Sequence, residues 1–61
     1  MLDRELIRRI IDIKIERGYT LFDLSKRLDL SVSTIERWLK TNRINKIYAR
    51  LVKEKLQIDN L

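Results

Sequence analysis

The segment Thr20–Lys40, TLFDLSKRLDLSVSTIERWLK, constrains this chain more than any other. Thr20 is a good helix N-cap, and Asp23 three residues on completes a helix-start signal. Leu24 and Leu28 then form an apolar stripe at helical spacing. The pattern stops at Asp29-Leu30-Ser31. Asp tolerates a left-handed backbone better than most residues, and Ser31 can cap a second helix. Ile35, Trp38 and Leu39 give that helix its buried side, with Leu30 plugging the corner. The reading is two short helices, about 21–28 and about 32–40, joined by a tight turn.

Other start and stop signals set the rest of the chain. Leu2–Arg17 is predicted to be a first helix, capped by Asp3 and ended by Gly18, the only glycine. Leu2, Leu6, Ile10 and Ile13 share its core face, and Tyr19 fills the gap behind it. Asn45 caps a last helix, about Lys46–Leu56, with Ile47, Leu51 and Val52 as its apolar face. The five residues after it fray or pack through Ile58 and Leu61. No linker, repeat or low-complexity segment interrupts residues 1–61, so the expectation is one all-α domain, a compact bundle of four or five short helices.

Ile7, Ile11 and Ile15 form a second stripe on the first helix, about 100–180° from the first. A helix apolar on most sides is normally covered on most sides. One reading is a homodimer or partner interface along these three residues. The other is that the last helix or the tail covers them, or that they are simply exposed.

Composition narrows the function. With no Cys and no His, disulfides, Cys/His metal sites and His- or Cys-based catalysis are excluded. No Gly-rich phosphate loop and no carboxylate pair suited to acid–base work is present, so no enzyme is expected, and no cofactor, metal or small-molecule ligand. Asp12 and Glu16 sit among Arg8, Arg9 and Lys14 as an ordinary surface pattern. No apolar run reaches about 18 residues, so no membrane span or membrane partner is expected. The charged start MLDRELIRR does not suit a signal peptide, and the expected location is the cytoplasm. Fourteen Lys and Arg against nine Asp and Glu leave a net charge of +5, which suits a polyanionic partner such as nucleic acid, or a merely solubilising surface.

Counted from Leu21, the fourth, eighth, tenth, fifteenth and eighteenth places hold Leu24, Leu28, Leu30, Ile35 and Trp38, and the fifth holds the small Ser25. That matches the helix-turn-helix pattern, except that Asp29 stands where Gly is usual. With the flank IIDIKIERGYTLFDLSKRL and the run STIERW, the chain resembles the phage repressor and Cro family over roughly residues 6–56. The run LSVSTIERWLK is also similar to transposase and recombinase DNA-binding domains. Leu21 departs from the Gln common at the first place of the second helix.

The resemblance implies sequence-specific binding of double-stranded DNA, with the third helix in the major groove. Arg37 then bonds a guanine edge, Ser33 a base of either kind, and Val32 a thymine methyl. Glu36 either accepts from a cytosine amino group, orients Arg37 or repels phosphates. Thr20, Ser31, Lys40, Asn42, Arg43 and Lys46 are the phosphate-contact candidates, although Ser31 and Thr34 also serve as cap and packing residues. Tyr48 can turn its hydroxyl to a phosphate or to solvent, and Lys26 and Arg27 read as solubilising charges. The implied function is a small transcriptional repressor or regulator, acting as a homodimer on a palindromic operator with half-sites about 34 Å apart. The alternatives are a DNA-targeting module of a recombinase, transposase or excision factor, and a helical protein-interaction domain that binds no DNA.

Overall fold

The computed structural model describes residues 3–58. They form α1 (Arg4–Glu16), α2 (Leu21–Leu28), α3 (Val32–Thr41) and α4 (Lys46–Lys55), with no strand among the described residues. The fold is therefore all-α, with four helices. A fifth is absent among the described residues. Leu2 and Leu61, expected to add to the core, lie outside them.

Each helix begins at a side chain that accepts one of the backbone N–H groups left over in its first turn. Asp3 Oδ1 accepts from Leu6 N–H at 2.9 Å. Asn45 Oδ1 accepts from Ile47 N–H at 2.8 Å. At α2 the bonding is reciprocal: Asp23 N–H donates to Thr20 Oγ1 at 3.1 Å, and Thr20 N–H to Asp23 Oδ2 at 2.8 Å. Asp3 also donates its N–H to the Asn42 carbonyl at 3.0 Å, which ties the start of α1 to the end of α3.

The helix ends need left-handed residues. Gly18, at φ +65°, lets Tyr19 N–H reach the Lys14 carbonyl at 2.8 Å and Gly18 N–H the Ile15 carbonyl at 3.2 Å. A Cβ at Gly18 would meet nothing within 4 Å, so backbone conformation and not space selects glycine here. Gln57, at φ 56°, closes α4 in the same way, with Ile58 N–H on the Lys53 carbonyl at 2.9 Å. Asp29 takes the left-handed conformation at φ 56°, and Leu30 N–H reaches the Ser25 carbonyl at 3.1 Å. Ser25 Oγ donates in return to the Leu30 carbonyl. The small residue of α2 therefore also clamps the turn.

α2 packs on α3 and α4, and α1 packs on α3. The core holds Leu6, Ile7, Ile10 and Ile13 of α1, Leu24 and Leu28 of α2, and Ile35 and Trp38 of α3, closed by Ile44, Ala49, Val52, Leu56 and Ile58. Leu30, Leu39 and Tyr19 pack against it half-buried. No polar or charged side chain is buried among the described residues, so the core carries no desolvation cost of that kind.

Two expectations need correction. Ile7 is fully buried, so it cannot belong to an exposed interface stripe with Ile11 and Ile15. Successive helical residues turn by about 100°, and Ile13, Leu6, Ile10 and Ile7 together span about 120°. That is an ordinary core-facing arc, and Ile11 and Ile15 fall beyond its edge. On α4, Ile47 is 77% exposed and Leu51 is half-buried. Val52 is buried as expected, and Ala49 and Leu56 complete the buried face. Ile47 lies about 140° round the helix from Val52 and faces solvent.

Candidate nucleic-acid interface

Ile35 and Trp38 anchor α3 from beneath. At helical spacing the opposite side must carry Ser33, Glu36, Arg37 and Lys40, and all four are exposed. Glu36 pairs with Lys40 at 3.8 Å, one helical turn on, in an exposed ion pair of little energetic weight. The Arg37 guanidinium has no hydrogen-bond or ion-pair partner among the described residues. Arg37 stands on a ridge between two hollows. One is bordered by Ser33, Glu36, Lys40 and Thr41. The other is a cleft of about 530 Å³ between α3 and the start of α4, reaching Trp38, Arg43, Asn45 and Tyr48.

The N-terminal turn of α3 is more occupied than its middle. Ser31 Oγ accepts from Thr34 N–H at 3.3 Å and lies 2.8 Å from Thr34 Oγ1 and 3.3 Å from Ser33 Oγ. Ser31 thus acts as a cap, and Ser33 stays exposed beside it. Val32 is half-buried, so only part of its side chain reaches the surface.

The expected phosphate contacts do not form one cluster. Lys40 belongs to the first hollow and Arg43 to the cleft. Asn42, left-handed at φ 56°, lies in a groove with Arg4, Arg8, Ile11 and Asp12 of α1. Lys46 faces Arg50 and Lys53 along α4. At the start of α2, Thr20 is held in its reciprocal cap. The Thr20 N–H and then the Thr20 hydroxyl hold the Asp23 carboxyl below its ordinary value of 3.8; burial opposes them, and Arg27 and Lys26 each add a weaker lowering effect. An anion approaching this end of α2 meets a carboxylate already in place.

Sequence reasoning left Tyr48 undecided, gave Asn45 only a capping role, and assigned no site role to Thr41. Tyr48 sits 5.9 Å from Trp38, centroid to centroid, on the cleft wall. The Thr41 hydroxyl donates to the Arg37 carbonyl at 2.9 Å and accepts from Arg43 N–H at 3.3 Å, which fixes the chain between the two arginines. Thr41 stands one turn after Arg37 in the sequence, a visible signal for this back-bond. The Trp38–Tyr48 contact crosses between helices and has no local signal.

Lys26 lies over the Phe22 ring at 4.7 Å and Arg27 over the Tyr19 ring at 4.3 Å. Both cations therefore rest on aromatic faces of their own chain. No group of three or more acidic, His or Cys side chains is arranged to hold a metal ion among the described residues. No described helix is long and apolar enough to cross a membrane.

Fold and surface together define a small all-helical domain whose α3 turns a polar face outward. No protein-family model, curated protein or solved structure matches the chain.

Proposed function

We propose that this chain binds double-stranded DNA in a sequence-specific manner, with α3 as the helix that enters the major groove, and acts as a small transcriptional regulator of the repressor type. One observation carries the reading. The unpartnered Arg37 projects from the middle of an exposed polar helix face whose opposite side is locked into the core. A bidentate guanidinium on a rigid helix suits a guanine edge. Ser33 lies one turn before it on the same face and supplies a second hydrogen-bonding group. Lys40 and Arg43 flank Arg37 and serve as phosphate contacts, supported by the net charge of +5.

The test is selection from a random duplex library at about 0.1 M salt, where screening is moderate. A single enriched motif is expected. Arg37→Ala should relax one position of that motif and cost about 1–3 kcal/mol. If about six phosphates are neutralised, log K falls against log salt with a slope near −5. A chain that enriches no sequence and shows no salt-sensitive binding to duplex DNA is instead a protein-interaction domain.

A further inference from the structure

We propose that the outer stripe of α1 is the contact surface for a second copy of this chain, with the two α1 helices packed antiparallel about a two-fold axis close to Ile11. Ile11 and Ile15 are 36% and 71% exposed, one helical turn apart. Arg4 and Arg8 continue the same stripe toward the N-terminus, with Asp12 on its flank. Of the other exposed large apolar side chains among the described residues, Phe22 has the Lys26 ammonium over its ring, Tyr48 leans on Trp38, and Ile47 lies at the start of α4, between Lys46 and Tyr48 in the chain. Among the described residues only α1 presents two exposed isoleucines one helical turn apart.

Charge identifies the occupant and its direction. Arg8 and Asp12 are one turn apart on one helix, yet they form no ion pair with each other. Basic before acidic is the weaker order for such a pair within a helix. Both charges are therefore open to a partner. A symmetric dimer uses the same patch on both copies. Parallel helices would set Arg8 against the partner's Arg8 and Asp12 against the partner's Asp12. Antiparallel helices bring Arg8 onto the partner's Asp12, twice by symmetry. The same axis sets Ile11 against the partner's Ile11 and lays Ile15 along the aliphatic stem of the partner's Arg4. The stripe is thus complementary to itself in one direction only.

This inference does not depend on DNA binding, and its test contains no DNA. Sedimentation equilibrium of the full chain should show a reversible monomer–dimer transition, and Ile15→Glu should weaken it at least about tenfold, the factor given by about 1.4 kcal/mol. Asp12→Arg alone and Arg8→Asp alone should each yield monomers, because each places like charges together twice. The double exchange Arg8→Asp with Asp12→Arg should restore the dimer. So should an equimolar mixture of the two single variants, in which every facing pair is opposite in sign. Circular dichroism checks that each variant stays folded, which the exposure of these residues favours. A chain monomeric at every concentration overturns the proposal. So does a dimer indifferent to the charge exchange, which would place the contact elsewhere.

Discussion

Helices α1 and α3 both bury one face, but α3's outer face is polar throughout, whereas α1's carries two exposed isoleucines among its charges. α3 turns Ser33, Glu36, Arg37 and Lys40 outward. α1 turns Ile11 and Ile15 outward among charged neighbours. A polar face is content in water and can exchange that water for a polar partner. An apolar face leaves area in water that association would remove. The two helices therefore suggest two kinds of partner for one small domain. Their inner faces are alike in kind, which makes the contrast testable residue by residue.

The largest effects should come from the shared core. Trp38→Ala should cost about 3–5 kcal/mol, enough to unfold most of a domain this small, as read by thermal or urea denaturation. A folded variant that lost only DNA binding would move Trp38 from the core to the proposed interface. On α1, Ile7→Ala should cost about 2–5 kcal/mol, whereas Ile15→Ala should stay within about 0.5 kcal/mol at concentrations where the chain is monomeric. Equal costs would erase the boundary between the buried arc and the outer stripe.

On α3 the expected effects are smaller and concern binding. Lys40→Ala should lower affinity about equally for all sequences and reduce the salt slope by about 1, while Arg37→Ala should change which sequences are preferred. If both variants behaved alike, the outer face would be a general cationic surface without sequence readout. Neither should alter self-association in sedimentation.

The smallest effects belong to the caps. Thr20→Ala should cost about 1 kcal/mol in denaturation. The Asp23 carboxyl has a lower pKa folded than unfolded, so its contribution is fully present above its ordinary value of 3.8 and is lost as pH falls through the lower folded value. The melting temperature should therefore decline slightly over this acid range, and Asp23→Asn should flatten that part of the decline. Asp29→Gly should stabilise the turn by up to about 1 kcal/mol, because Asp29 holds a left-handed backbone at φ 56°. A loss of stability on that change would mean that the Asp29 side chain holds the turn.

Much of the fold was legible because its signals are local. Asp3, Thr20 with Asp23, Ser31 and Asn45 each cap the helix expected of them, since a cap needs only its own next three residues. Gly18 and Asp29 are left-handed at the expected turns. Leu24, Leu28, Ile35 and Trp38 are buried as their spacing requires. The candidate site was legible in part. Ser33, Glu36, Arg37 and Lys40 share one exposed face, but Asn42, Arg43 and Lys46 separate onto three surfaces. Neighbours in the chain diverge in space once a helix ends and the backbone turns.

The sequence by itself determined the helices, their caps, the tight turn between α2 and α3, and the residue types on the outer face of α3. Those follow from helical period and from hydrogen bonds within a few residues. Only the tertiary structure decided that Ile7 is core and Ile11 is not, that Ala49 and not Ile47 faces inward, and that Tyr48 joins Trp38 beside Arg37. Periodicity gives the direction of an apolar arc, but its width depends on how far neighbouring helices wrap around it, and that is settled by packing between distant parts of the chain.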